Sequence, residues 1–196
     1  MPNPYSVVKD FESALCEYTG APYAVTVNSC TNALLLACAF LKVDFVILPK
    51  RTYLGVPMSV RHAGGKVRFI DLTWRGMYPL APYPIYDSAK RFRANMYRAS
   101  QFQCVSFHWG KILGLGHAGA ILHDNPTADE WFRKARFDGR TEGVHPRNDN
   151  PIIGWHCMCS PEVAAHGLVK LSWLPKWNED LPVDDYPDLS LMECFR

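Results

Sequence analysis

Short apolar runs alternate with helical stretches along most of the chain. Val7, Val8, Phe11, Leu15 and Tyr18 recur at helical spacing and stop before Gly20, which predicts an opening helix closed by a glycine cap. Ala24 to Asn28 predicts a buried strand, and Ser29-Cys30-Thr31-Asn32 then opens an apolar helix over Ala33 to Leu41. A second strand over Phe45 to Leu48 leads through Pro49-Lys50-Arg51-Thr52-Tyr53 to a helix over Leu54 to His62. The run Tyr83-Pro84-Ile85-Tyr86 ends in Asp87, and Cys104 to Leu122 places Lys111 between two short apolar runs, with Ala118 to His123 as another strand. Thr127 to Phe137 predicts an amphipathic helix with Trp131 and Phe132 inward, Asp138 to Asn150 a polar loop, and Ser160-Pro161-Glu162 a capped helix start. The tail from Lys176, rich in Pro, Asp and Trp, is expected to pack loosely along the surface. Strands alternating with helices imply an α/β fold in three layers, a mostly parallel sheet with helices on both faces and right-handed crossovers. Ligands in such sheets bind beyond the carboxyl ends of the strands.

Composition narrows the class. At 196 residues the chain favours a single compact domain with a real core, and 48% apolar residues exclude disorder. Seven cysteines, an odd number scattered through apolar segments, suit a reducing compartment better than a disulfide framework. No apolar run reaches membrane-spanning length and the opening M-P-N-P-Y-S lacks a signal pattern, so a soluble, cytoplasmic protein is expected. The net charge of +2 decides little. Lys90-Arg91-Phe92-Arg93, Arg98 and Arg133-Lys134-Ala135-Arg136 gather cations with aromatics between them, as solvated helix and loop faces or as a polyanion-binding surface such as one for nucleic acid.

The chemistry centres on Lys111. A lone lysine after a strand, beside a Gly-rich turn, is placed to form a Schiff base with an aldehyde, and pyridoxal 5'-phosphate (PLP) is the obvious candidate. That cofactor needs a carboxylate against its pyridinium, an anion site for its phosphate and an aromatic face for its ring. Asp87 at a strand terminus suits the first need, kept ionised by the pyridinium. The turn at Ser29 to Asn32, with free N–H groups at a helix start, suits the second, and Tyr53 beyond a strand suits the third. Rival readings compete. Gly114-Leu115-Gly116-His117-Ala118-Gly119 matches G-x-G-x-x-G, but a strand rather than a helix follows, against a dinucleotide site. His156-Cys157-Met158-Cys159 lacks a second ligand pair for zinc, so no metal is expected. Taken singly, Asp87 and Lys111 could be an ordinary ion pair, Tyr53 a core aromatic and Thr31 a helix cap.

The order of these residues resembles the DegT-type sugar aminotransferases, fold-type I PLP-dependent enzymes. The matching pieces are F-E-S-A-L-C-E-Y-T-G-A-P-Y-A-V-T-V-N-S-C-T-N-A-L, I-L-P-K-R-T-Y, G-G-K-V-R-F-I-D-L, I-Y-D-S-A, S-F-H-W-G-K, G-A-I-L and G-W-H-C-M-C-S-P-E-V-A-A-H-G-L-V-K-L, spanning Asp10 to Leu174. By that resemblance Lys111 is the Schiff-base lysine, Asp87 the pyridinium partner and Tyr53 the ring-stacking residue. Cys30, Thr31 and Ser106 would contact the phosphate. His156 falls where the family usually has an Asn reaching the neighbouring subunit's phosphate, which implies a homodimer with shared sites. Lys90 stands where the family usually has His or Gln near the cofactor's ring oxygen, a cation that would alter the cofactor's electronics or meet an anionic substrate. The resemblance also implies a PLP-binding large domain over 1–175, followed here by a tail over 176–196 and essentially no small C-terminal domain.

The reaction this implies is transamination onto a nucleotide-linked keto sugar. An open site also suits a bulkier substrate, and the alternative is a PLP-dependent decarboxylase of an amino-acid group carried by a nucleotide or DNA base, as in phage-type DNA hypermodification.

Overall fold

The computed structural model describes Asn3 and residues 5–195; most of the opening M-P-N-P, on which the signal-pattern reading rests, lies outside the described residues. Helix α1 (Ser6–Thr19) ends on Gly20 in the left-handed region at φ 78°, where the glycine N–H closes on the Cys16 carbonyl. Strand β1 (Tyr23–Val27) follows, then α2 (Cys30–Phe40), whose Ser29 hydroxyl caps the Asn32 N–H at 3.1 Å. Next come β2 (Phe45–Pro49), α3 (Gly55–His62), β3 (Lys66–Ile70), the two-residue β4 (Tyr78–Pro79) and β5 (Ile85–Asp87). The chain continues with β6 (Phe102–Ser106), β7 (Gly119–His123), α4 (Pro126–Ala135) and α5 (Pro161–Trp173), the last two capped by Asn125 and Ser160.

The main sheet has the order β1-β7-β6-β5-β4, and β2 pairs with β3 beside it, attached by a bridge between Ile47 and Ala81. Strands β1, β6 and β5 run one way, whereas β7, inserted between β1 and β6, runs against both. Three of the five strands in the main sheet thus share one direction, while three of its four ladders are antiparallel because β7 and β4 take part. Alternation along the strands splits the core in two. Val25, Val27, Cys104 and Ile121 pack towards α2, α3 and α4; Ala24, Val105, Ala120 and Leu122 pack towards α1 and α5. This is the expected three-layer α/β arrangement. Phe132 of α4 is fully buried among Phe40, Phe102 and His123, with Trp131 half-buried beside it.

Two expectations about charge and the tail change. Glu12 of α1 is buried and accepts from the Thr26 N–H and hydroxyl, each at 2.8 Å, and from Arg133 and Arg136. Burial alone would raise its carboxyl, but the two guanidinium groups outweigh it and hold it below its ordinary value. Arg91 and Arg93 both pair with Asp180. Four cations of the basic clusters are thus engaged inside the fold rather than arrayed on a surface. The tail is not loose either. Leu181 N–H donates to the Lys90 carbonyl, Leu189 N–H to the Lys50 carbonyl, and the Leu189 side chain is fully buried. Three aspartates four residues apart, Asp180, Asp184 and Asp188, pair with Arg91 and Arg93, with Lys90, and with Lys50. Sequence patterning misses this because each partner lies about ninety residues or more away. No helix among the described residues is long and apolar enough to cross a membrane.

Candidate active site

A cavity of about 500 Å³ opens beyond the carboxyl ends of β1, β5 and β6. Cys30, Thr31, Tyr53, Asp87, Lys90, Ser106 and Lys111 all line it, so seven of the eight site residues expected from sequence share one space. His156 does not. Its side chain is 75% exposed and pairs with Asp138, Nδ1 to Oδ2 at 3.1 Å, outside the cavity.

Helix α2 presents its N-terminus to this space. The Cys30 and Thr31 N–H groups, in the first turn, have no acceptor among the described residues, as is usual for groups that precede the helical ladder. Their position is fixed from behind by Gly119, where a Cβ would come within 2.6 Å of the Cys30 nitrogen and 2.8 Å of the Val105 carbonyl oxygen. From the front, the Ser59 hydroxyl donates to the Thr31 carbonyl at 2.8 Å. Gly55 leaves room for the Tyr53 ring and the Thr31 hydroxyl, which would lie 2.7 and 2.9 Å from any Cβ there. Tyr53 is 57% exposed at the cavity mouth, so it is a wall of the site and not a core aromatic.

Asp87 ends β5 and is buried. Its carboxylate accepts from the Ala89 N–H and the Tyr78 hydroxyl, both at 2.9 Å, and the Tyr78 oxygen also lies 2.5 Å from the Thr52 hydroxyl. Burial raises the carboxyl above its ordinary value, opposed by the Ala89 and Tyr78 donors and by the charges of Lys111 and Lys90. Tyr78 was not anticipated from sequence: β4 is only two residues long and gives no periodic signal.

Lys111 lies farther from its strand than the sequence suggested, five residues beyond β6, in a loop stapled at its base. Phe107 N–H donates to the Ala118 carbonyl and Leu115 N–H to the Phe107 carbonyl, while Lys111 N–H closes on His108. Gly114 and Gly116 take φ of 57° and 107°, and buried Leu113 and Leu115 anchor the loop below. The glycine pattern thus shapes the lysine loop, and β7 follows it directly. Desolvation lowers the Lys111 ammonium below its ordinary value, Lys90 lowers it further, and Asp87 works against both.

Lys90 is buried, and its Nζ donates to Asp184 Oδ2 at 2.8 Å. Asp184, Tyr186, Asn28, His108 and His117 also line the cavity and were missed from sequence; the first two come from the tail. All seven cysteines are free thiols, and burial pushes Cys157 and Cys159 up to about 11, which marks both as inert core groups.

The model of the DegT/DnrJ/EryC1/StrS aminotransferase family matches residues 2–79 and 94–180 of this chain. A UDP-4-amino-4,6-dideoxy-N-acetyl-beta-L-altrosamine transaminase of Campylobacter jejuni is 42% identical over 67 residues, 33% of this chain and 18% of that protein. Among solved structures, a DegT DnrJ EryC1 StrS aminotransferase from Brucella abortus superposes with a TM-score of 0.73 at 20% identity, covering 86% of this chain and 59% of that one. DesV from S. venezuelae, solved in complex with a ketimine intermediate, gives 0.69 at 22% identity over 86% and 57%. The chain therefore spans about three-fifths of the length of these solved proteins.

Proposed function

Because the chain belongs to the DegT/DnrJ/EryC1/StrS aminotransferase family, we propose that its cavity binds pyridoxal 5'-phosphate and serves amino-group transfer to a nucleotide-linked keto sugar. The observation that carries this reading is the meeting of Lys111, Asp87 and the N-terminus of α2 in one cavity. The residues fit the cofactor on chemical grounds. A buried carboxylate with two neutral donors leaves a place for a cationic ring nitrogen, and unpartnered N–H groups at a helix start suit a phosphate.

In this reading Lys111 attaches the cofactor. Cys30, Thr31 and Ser106 hold its phosphate with the α2 amides, Tyr53 flanks its ring and Asp87 keeps the ring nitrogen protonated. When bound, the cofactor supplies an electron sink that stabilises negative charge next to the reacting nitrogen. The chain's own part is proton management. Lys111, with its proton affinity lowered by burial and by Lys90, is suited to move a proton between the nitrogen-bearing carbon of the substrate and the cofactor carbon joined to that nitrogen. The sugar substrate is supported by the named activity of the Campylobacter relative. The decarboxylase reading is not favoured, and its nucleic-acid element loses support with Arg91, Arg93, Arg133 and Arg136 engaged in ion pairs.

We also propose a two-fold homodimer in which His156, exposed outside its own cavity, completes the phosphate site of the partner.

One experiment tests the core of the reading. Purified protein supplied with PLP should show an absorbance band near the visible edge that is absent from Lys111→Ala. Borohydride reduction and peptide mapping should label Lys111. Label on Lys90 instead would overturn the assignment. With the site established, UDP-linked 4-keto sugar and glutamate should give aminated sugar, whereas carbon dioxide from amino-acid-bearing nucleotides would favour the decarboxylase.

A further inference from the structure

Two donors converge on a single oxygen in the cavity wall. Lys90 Nζ donates to Asp184 Oδ2 at 2.8 Å and the Tyr186 hydroxyl donates to the same atom at 2.7 Å. The partners differ sharply in exposure: the Lys90 side chain is 6% exposed and that of Asp184 58%. A buried ammonium without a counter-charge costs several kcal/mol, so Lys90 stays paired as long as it stays charged. Asp184 is not bound to that role by burial. It sits on a stretch of tail held at both sides, by the Asp180 pairs and Leu181 on one and by Leu189 and Asp188 on the other, with no regular structure between.

From this arrangement we infer that Lys90 and Tyr186 form an anion-binding subsite of the cavity, occupied in the free protein by the chain's own Asp184. The ligand is the carboxylate or phosphate of an incoming substrate, which takes the place of Asp184 Oδ2 and releases the carboxylate to solvent. The exchange leaves Lys90 paired throughout, so no buried charge is uncovered. Tyr186 stays in position when Asp184 leaves, because its backbone carbonyl accepts from Arg51 Nη1 at 3.1 Å. The tail thereby sets which substrates bind: a neutral molecule gains nothing from displacing Asp184, whereas an anion gains both donors. The inference rests on the cavity's being the substrate site.

Calorimetric titration of the purified protein with acetate and with inorganic phosphate tests it. The wild-type protein binds weakly, since its own carboxylate competes and the apparent affinity falls with the fraction of open sites. Asp184→Ala should bind one of the two anions at least about tenfold more tightly, with Asp184→Asn in between, and adding Lys90→Met should abolish the gain. Phosphate bound at the α2 N-terminus is unaffected by Lys90→Met and is distinguished in that way. Preference for acetate identifies a carboxylate ligand, and preference for phosphate a nucleotide-linked one. Should Asp184→Ala fail to fold, the isosteric Asp184→Asn carries the test alone: it should bind the anion more tightly than wild type, and adding Lys90→Met should remove that gain. Equal affinities in wild type and Asp184→Asn, or a gain that survives Lys90→Met, overturn the subsite. Lys111 labelling is independent of every arm, so failure here and failure of the cofactor reading are separable.

Discussion

Tyr78 and Asp87 face each other across the β4–β5 ladder as register partners, and the phenol of one donates to the carboxylate of the other at 2.9 Å. The shortest strand of the sheet therefore exists in register with the carboxylate at the centre of the site. Tyr78→Phe removes a donor that holds Asp87 down, so the Asp87 carboxyl should rise further. The acid limb of the activity profile should move to higher pH, while stability falls by about 1 kcal/mol from the lost hydrogen bond. An unmoved acid limb would show that Asp87 does not govern it.

Asp87→Asn should keep the fold, since the amide oxygen can accept from Ala89 while its NH2 donates to a Tyr78 hydroxyl turned towards Thr52, but it removes the charge proposed to face the cofactor's ring nitrogen. Turnover should drop on the order of a hundredfold or more, with PLP still attached to Lys111 by absorbance. Wild-type turnover in this variant would remove Asp87 from the chemistry.

Shared sites can be tested by mixing. Lys111→Ala and His156→Ala chains, each inactive alone, should regain partial activity after subunit exchange. A mixed dimer places both defects in one site and leaves the other intact. A mixture that stays inactive despite demonstrated exchange rejects the sharing of His156.

His123 carries a separate pH signal. It is buried against Tyr23, Phe102 and Phe132 with no hydrogen-bond partner among the described residues on either ring nitrogen, and Asp129 Oδ1 lies 3.7 Å away. Desolvation lowers it from 6.5 to about 4. Its folded value lies below its unfolded one, so the unfolded chain takes up the proton first as pH falls. The contribution is intact above about pH 6.5, declines towards pH 4 and is flat below. Between pH 7 and pH 4.5 the loss should amount to about 2 kcal/mol. Urea midpoints at pH 7 and pH 4.5 should differ less for His123→Phe than for wild type, and an equal difference would exclude His123 as the source.

Local signals made much of the fold legible. Ser29, Ser160 and Gly20 end or begin helices through short-range hydrogen bonds, and α1 shows its buried stripe directly. Strand β3 was hidden because its residues alternate between half-buried and exposed and none is fully buried. In the site, Asp87 and Cys30 could be read because each adjoins a strand or helix end, and Lys111 because it stands alone beside a glycine-rich turn. Tyr78, Asp184 and Tyr186 could not, because their roles exist only through pairings with residues distant in sequence or across a two-residue ladder. For the same reason the tail looked free: an aspartate among prolines carries no local mark of the lysine it will meet.

Gly119 sets the mechanical tolerance of the whole arrangement. It is the first residue of β7 after the Lys111 loop, and it also abuts the first turn of α2, so two parts of the site that are far apart in sequence are gauged against one missing methyl group. Any side chain at this point acts as a shim, pressing on the start of α2 and on the end of β6, from which the Lys111 loop departs. Misplacement by about 1 Å in a site of this kind costs about a hundredfold in rate. Residue 119 can therefore degrade alignment without touching a reacting atom, and the clearance between these two backbones matters to the chemistry as much as the identity of the residues that line it.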